Sequence, residues 1–262
     1  MYLRIKMQVG FSLVEMAMVL MILGILLSGV LVAVGDSTDS VRISSTRSQL
    51  RQIEEALYGY AQATGYLPCP ATGLSNGLAS YTSGTSGACT NYHGFIPAAT
   101  LNIYGSINED GLLLDAWQNP IRYSVSALDV GVANYFTDPD DLKTLFGNVP
   151  GLLDTYADDA DMLRVCQDMT DCAGTTIADT VPAVIISMGE NWPDLSGTSS
   201  AEEQENAFGA TLTGATTGST YNISNTNSFV DTTYNETEYD DQIRWLSPHI
   251  LFSRLIQAGQ LP

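Results

Sequence analysis

An apolar run of 19 residues without a charged side chain, Met16–Val34, constrains this chain more than any other feature. As an α-helix rising about 1.5 Å per residue, it would span the roughly 30 Å hydrocarbon core of a bilayer. Two plain interpretations are a membrane anchor and a secretory signal with a small-residue cleavage site at Ala33-Val34-Gly35. The secretory signal fits poorly, because its apolar region has about 7–15 residues, whereas this run is longer and has Glu15 at its entry.

A third interpretation comes from the residues just before the run. Gly10-Phe11-Ser12-Leu13-Val14-Glu15 follows a short basic leader that contains Arg4 and Lys6. The motif resembles the prepilin processing site of the type IV pilin and type II secretion pseudopilin superfamily. The resemblance implies that a prepilin peptidase and methyltransferase in the membrane cleaves between Gly10 and Phe11 and methylates the new amine of Phe11.

The resemblance also implies an α+β fold that is pilin-like, with a long N-terminal helix packed on a head built around an antiparallel sheet. Residues 1–10 would be the leader peptide and residues 11–35 the transmembrane and filament-core helix. Residues 36–62 would form the amphipathic half of the stem helix, and residues 63–262 the acidic globular head. Arg4 and Lys6 favour the cytoplasmic side for the N-terminus, which places the head in the periplasm or outside the cell.

Glu15 is the functional candidate of the apolar helix, because a carboxylate inside a bilayer costs about 2.5–3.5 kcal/mol. At the headgroup boundary its cost would be small. After cleavage the amine of Phe11 lies four residues before Glu15 on the same helix face and could neutralise it within one chain. The family resemblance instead favours a pair between neighbouring subunits, which would set the axial register because an unpaired buried charge is heavily penalised.

The charge of the chain argues against nucleic acid as a partner. From Ala63 onward there are 24 acidic and five basic residues, and the whole chain carries a formal charge of −19. Such a head would repel a polyanion. The resemblance implies other partners: pilin or pseudopilin subunits, the prepilin peptidase, and the inner membrane with its assembly platform.

All the cysteines lie beyond the apolar run, where an oxidising compartment would make disulfides natural. They are Cys69, Cys89, Cys166 and Cys172. Three pairings are possible, and we predict the two local ones, Cys69–Cys89 and Cys166–Cys172. Zinc is the alternative, but there is no C-x-x-C motif, and His93 and His249 are not spaced as a ligand pair.

Helical periodicity continues from Asp36 to Gln62. One stripe of the helix steps by three or four residues, through Ile43, Thr46, Leu50, Ile53, Leu57 and Tyr60, and all of these except Thr46 are apolar or aromatic. The pattern predicts a helix that buries this stripe against the head and ends at Gly65 and Pro68.

The segment Asp115-Ala116-Trp117-Gln118-Asn119-Pro120 predicts a turn leading into a strand. Ile121, Tyr123, Val125 and Ala127 alternate with Arg122, Ser124 and Ser126, a period of two with one buried face. The run is similar to the Asp-x-Trp-Gly-x-Pro segment of pseudopilins, with Gln118 where those often have glycine. We expect a structural role for Asp115, Trp117, Asn119 and Pro120, with Trp117 covering the core beside the stem helix.

Two helices are predicted in the middle of the chain. Asp138-Pro139 indicates the start of a short helix that ends near Gly147. Leu153, Tyr156, Ala160, Leu163 and Cys166 predict a second helix. Its exposed side would carry Asp154, Asp158, Asp159 and Asp161, which are weak calcium candidates because the EF-hand spacing is absent. Otherwise no cofactor is expected.

The last third predicts strands and a C-terminal helix. Val181–Met188 is a β-branched apolar run typical of a central strand, and Phe229–Tyr234 predicts a further strand. A helix should start at Ser247-Pro248, bury Leu251, Phe252, Leu255 and Ile256, and stop at Gly259.

These features favour a structural subunit, a minor or specialised pilin or pseudopilin, over two other classes. The alternative is a membrane-anchored binding or adhesion module that uses the Ser/Thr-rich segment Ser196–Ser228 or the acidic face. An enzyme is disfavoured, since the sequence has no nucleophile–base pairing, phosphate loop or dense metal cluster.

Overall fold

A computed structural model describes residues 12–127, 135–148, 162–168, 176–192, 200–208, 227–235 and 238–262, without the side chains of 26–37, 145, 147 and 148. The chain forms two compact units, Met1–Ser44 and Ser45–Pro262. Helix α1 runs from Leu13 to Thr64 and contributes to both. In the first unit, Arg42 and Asp39 form an ion pair one helical turn apart, with Nη1 and Oδ1 separated by 3.3 Å.

In the second unit, α1 presents an apolar stripe to the core, as its periodicity predicts. Thr46, Leu50, Ile53 and Leu57 are buried, whereas Tyr60 is half-buried. The helix ends at Thr64, and Gly65 follows with φ of +89°. A left-handed residue directly after a helix favours glycine, which confirms the predicted stop.

A four-stranded antiparallel sheet lies beside α1. It contains β1 (His93–Phe95), β2 (Arg122–Val125), β5 (Ala183–Ser187) and β7 (Gln242–Trp245), in the order β1-β2-β5-β7. The internal position of β5 confirms the strand predicted at Val181–Met188. Val181 itself ends a different strand, and Pro182 lies between that strand and β5. The α+β architecture, with an N-terminal helix packed on an antiparallel sheet, is therefore confirmed.

A second sheet has three strands and is mixed. It contains β3 (Leu163–Cys166), β4 (Thr176–Val181) and β6 (Ser228–Val230), in the order β4-β3-β6. Strand β3 pairs antiparallel with β4 and parallel with β6. The helical prediction for Leu163 and Cys166 is wrong, because both belong to β3; the earlier part of that predicted helix lies outside the described residues.

Four further helices complete the described fold. They are α2 (Ala98–Leu101), α3 (Pro139–Asn148), α4 (Ala201–Phe208) and α5 (Pro248–Gln257). Oδ1 of Asp138 accepts the main-chain N–H of Asp140 at 2.9 Å and of Asp141 at 3.3 Å, which confirms the predicted start of α3. Helix α5 buries Leu251, Phe252 and Leu255, and Gly259 follows it with φ of +72°. Ile256 is 44 % exposed, so its predicted burial is wrong.

The core has two main parts, one on each face of the four-stranded sheet. The first packs α1, α5 and residues such as Tyr123 and Ile185 together. The second packs Val184 and Ile186 against residues of the second sheet, including Val165 and Phe229. Because both faces are covered, every residue of β2 is buried. The predicted one-sided burial of this strand is therefore wrong: Arg122 and Ser124 lie in the interior.

The predicted strand at Phe229–Tyr234 is shorter than its β-propensity indicates. Strand β6 spans Ser228–Val230, and residues 231–234 have no strand structure. The N–H of Asp231 still bonds to the carbonyl oxygen of Cys166, at 2.9 Å, so pairing with β3 ends one residue beyond the strand.

Candidate functional site

Glu15 lies in the first turn of α1, where a carboxylate interacts favourably with the helix dipole. Its side chain is exposed, together with those of its apolar neighbours. The apolar residues of this segment whose side chains are exposed are Leu13, Val14, Met16, Met18, Val19, Leu20, Met21, Ile22, Leu23 and Ile25. The predicted cleavage site, Gly10 and Phe11, lies outside the described residues, so the pairing of Glu15 stays a prediction.

Across the residues that the structure describes, no helix combines the length and the apolarity needed to cross a membrane. The predicted span, Met16–Val34, continues into residues 26–37, whose side chains lie outside the description.

Asp115 organises a tight turn before β2. Its Oδ1 accepts the main-chain N–H groups of Trp117 and Asn119, both at 2.9 Å, and its Oδ2 accepts the hydroxyl of Ser187 at 2.6 Å. The carboxyl group is buried, and burial raises its pKa against the opposing effect of these three hydrogen bonds. These hydrogen bonds fix the turn to the end of β5.

Asn119 adds a second link between this turn and the residues after β5. The side-chain amide of Asn119 donates to the carbonyl oxygen of Gly189 at 2.5 Å. Gln118 has φ of +68°, a left-handed conformation that suits glycine, which is the residue that the resemblance places there. Trp117 is half-buried and is not one of the residues that form the core clusters. Pro120 is buried and lies two residues before the start of β2.

A second polar network meets the first at the turn after β5. Oδ2 of Asp240 accepts the main-chain N–H of Glu190 at 2.7 Å and of Asn191 at 3.2 Å. Oε1 of Glu203 accepts the amide of Asn191 at 2.6 Å and the N–H of Asp240 at 3.2 Å. Both carboxyl groups are buried. Burial raises the pKa of Asp240 to about 6, and the nearby charges of Glu203 and Glu190 act in the same direction.

Arg122 joins β2 to the end of α4. Its Nη1 donates to the carbonyl oxygen of Asn206 at 2.6 Å and also to that of Ala207. A cation at a helix C-terminus satisfies carbonyl groups that the helix itself leaves unpaired. Complete burial lowers the pKa of Arg122 to about 10, while the charge of Asp241 opposes this. The side-chain amide of Asn206 in turn donates to Oδ2 of Asp241 at 2.8 Å.

The cysteine prediction is confirmed where it is described. Cys69 and Cys89 form a disulfide, with Cα atoms 5.4 Å apart. Cys166 is buried at the end of β3 and is disulfide-bonded. Cys172, the partner predicted for it, lies outside the described residues.

The structure does not place the predicted calcium candidates. The calcium candidates Asp154, Asp158, Asp159 and Asp161 lie outside the described residues. In the described ranges, no three or more His, Cys, Asp or Glu side chains are arranged to hold a metal ion. His93 is an interior side chain, with Nδ1 3.0 Å from Oγ of Ser124, and burial lowers its pKa to about 4.

Sequence reasoning missed the network of Glu203, Asn206 and Asp240. The pair Asp240-Asp241 directly before the alternating segment Gln242–Leu246 was a weak signal, since carboxylates are rarely buried without partners. Glu203 and Asn206 stand in an otherwise polar segment and give no signal of burial. Comparisons of the chain with protein-family models, with curated proteins and with solved structures find no match.

Proposed function

We propose that the chain is a structural subunit of an extracytoplasmic filament of the type IV pilus or type II secretion pseudopilus class. A minor or specialised subunit is favoured over the abundant one, because the head of roughly 200 residues is large for a repeating filament surface. The protein itself would catalyse nothing. The chemistry is performed on it, by cleavage between Gly10 and Phe11 and methylation of the new amine.

The observation that carries this proposal is the run of ten exposed apolar side chains on α1 between Leu13 and Ile25. Covering a large apolar side chain contributes about 1–2 kcal/mol, so the segment as a whole gains on the order of 10 kcal/mol when it is covered. Lipid covers it in the membrane-stored form, and the helices of other subunits cover it in a filament. Glu15 is the single charge in this segment, and a prepilin-type motif precedes it.

Two features of the second unit support the same proposal. The N-terminal helix packs its apolar stripe on an antiparallel sheet, which is the arrangement that the resemblance implies for a pilin head. The Cys69–Cys89 disulfide suits an oxidising compartment. The subunit would reside in the inner membrane with its N-terminus cytoplasmic and its head periplasmic, and then enter the filament.

Substitution of Glu15 tests the proposal. Glu15→Ala should leave membrane insertion intact and lower incorporation into filaments at least tenfold, since the incoming amine of Phe11 would be buried without a partner. Asp39→Ala is the matched control: it removes a carboxylate from the same helix, outside the apolar run, and should assemble as wild type. Sheared filaments are quantified against the membrane fraction. Incorporation of Glu15→Ala at the wild-type level would refute the role of Glu15.

A further inference from the structure

We propose that a groove between α1 and β7 is a docking site for an acidic segment of a second copy of this chain. The groove encloses about 160 Å³. Arg47 and Arg51 line it from α1, Gln242 and Arg244 from β7, and Asp231 from the segment after β6. The choice of a second copy as the partner rests on the proposed function, whereas the groove itself does not.

Gln242 is the first observation that points to a ligand. The residue is only 6 % exposed and lines the groove. Neither its amide nitrogen nor its amide oxygen has a hydrogen-bond partner within the described part of the chain. A buried amide in this state is costly, because both groups have lost water without gaining a protein partner. A peptide group of an extended segment offers the required acceptor and donor together.

The arginines are the second observation. The groove holds three of the ten basic residues of the chain. Nε of Arg244 donates to Oε2 of Glu54 at 2.5 Å, so this guanidinium already has a carboxylate. Arg47 and Arg51 are exposed, and neither has a carboxylate within 4.0 Å among the described residues. Being four residues apart, they share one helix face, and guanidinium groups bind carboxylates through paired hydrogen bonds.

The groove also contains carboxyl groups, and these orient the incoming segment. Asp241 is buried and accepts the amide of Asn206, and Asp231 is half-buried under the influence of the Arg244 and Arg47 charges. The carboxyl groups of the groove therefore lie on the side of β7 and the segment after β6, and the two arginines without a carboxylate within 4.0 Å lie on α1. A docked carboxylate is directed to Arg47 and Arg51, while the peptide group next to it reaches Gln242.

A second copy has the chemistry that this groove needs. The chain has 29 acidic and ten basic residues, so its surface presents mainly carboxylates to a neighbour. Subunits stacked in a filament would bring such a surface to α1 at high effective concentration, where even a modest charge-assisted contact is occupied.

Photo-crosslinking in the full-length, membrane-inserted chain tests this assignment. A benzoylphenylalanine is placed at Thr232, which lines the groove, and in a separate variant at the exposed Thr144 of α3. Cells expressing a mixture of isotopically heavy and light chains distinguish links between copies from links within one chain. We expect the Thr232 position to give a crosslinked dimer whose linked peptide is rich in Asp and Glu, and the Thr144 position to give at least tenfold less.

Arginine substitutions then test the chemistry of the contact. Arg47→Gln with Arg51→Gln should lower the Thr232 crosslink at least tenfold. Arg42→Gln with Lys143→Gln removes the same charge outside the groove and should leave the crosslink unchanged. A Thr232 crosslink that is absent, that joins a different protein, or that persists in the Arg47/Arg51 variant overturns the proposal.

Gln242→Met separates docking from folding. Replacing an unpartnered buried amide by an apolar side chain of similar size should leave the urea midpoint of unfolding unchanged or higher. The same substitution should lower the Thr232 crosslink at least threefold. An unchanged crosslink would show that the amide plays no part in docking. If the crosslink fails while incorporation still depends on Glu15, the docking proposal falls and the proposed function stands. If the crosslink between copies forms while incorporation does not depend on Glu15, the contact at the groove stands and the proposed role of Glu15 in assembly falls.

Discussion

Asp240→Asn should stabilise the second unit at neutral pH and lose this advantage on acidification. The carboxylate of Asp240 is buried near Glu203 and Glu190, and its pKa is raised from 3.8 to about 6. At pH 7 the group is therefore ionised in the folded protein, and its ionisation there destabilises the fold relative to the unfolded chain. An asparagine resembles the protonated form and still has an oxygen to accept the N–H groups of Glu190 and Asn191.

The magnitude follows from the separation of the two pKa values. At about 1.4 kcal/mol per pKa unit, a shift from 3.8 to about 6 corresponds to roughly 3 kcal/mol at pH 7. Solvent reaches this turn at the exposed Glu190, and screening there reduces the expected gain of Asp240→Asn to about 1–2 kcal/mol.

The sign of the pH dependence follows from proton linkage. Because the pKa of Asp240 is higher in the folded state, the folded protein binds more protons than the unfolded chain between about pH 4 and 6. The contribution of this group to stability is fully present below about pH 4 and is lost as the pH rises through about 6. The advantage of Asp240→Asn should therefore shrink towards zero near pH 4.

Urea unfolding followed by tryptophan fluorescence between pH 4.5 and 8 measures this difference. Glu109→Gln removes one carboxylate from an exposed position and serves as the control, with an expected difference below about 0.5 kcal/mol at every pH. If Asp240→Asn gains nothing at pH 7, or gains the same amount at pH 5 and pH 7, the reasoning about this buried carboxylate is wrong.

Substitutions at the Asp115 turn, at Gln118 and at the Cys69–Cys89 disulfide test the structural claims, each by urea unfolding. Asp115→Ala should lower the free energy of unfolding by about 3–5 kcal/mol, since three donors lose their acceptor. Asp115→Asn keeps an acceptor oxygen and should lower it by at most about 2 kcal/mol. Equal losses in the two variants would contradict a role for the hydrogen bonds. Gln118→Gly should raise the free energy of unfolding by up to about 1 kcal/mol, because glycine adopts the left-handed conformation without strain. A lower free energy of unfolding would contradict strain at this position. Cys69→Ala with Cys89→Ala should lower the free energy of unfolding by about 3 kcal/mol, as expected when a disulfide joins residues 20 positions apart. A loss below about 1 kcal/mol would contradict this stabilisation.

Local signals predicted the parts of the fold that depend on local physics. The stripe of Leu50, Ile53 and Leu57 is set by helix periodicity, and Asp138 starts α3 because a carboxylate accepts free N–H groups at a helix start. The Cys69–Cys89 bond closes a short loop that needs no distant partner. Each of these features can be evaluated within about 20 residues of sequence.

The errors arise where distant segments decide the structure. Leu163 and Cys166 are spaced as in a helix, but pairing with strands on both sides makes the segment a strand. Arg122 occupies a position that alternation assigns to solvent, yet the second sheet and α4 cover that face, and α4 supplies carbonyl acceptors. Glu203 gives no local sign of burial, because its partners Asn191 and Asp240 come from other parts of the chain.

The mature N-terminus tests the central claim most directly. Full-length chain isolated from membranes of a native-type host is analysed by N-terminal sequencing and by mass spectrometry of the first peptide. The account predicts a chain that begins with N-methylated Phe11 and retains the apolar helix with Glu15. A chain that begins with Met1, or with Asp36 after removal of the whole apolar run, would contradict assembly through a pair between the amine and Glu15.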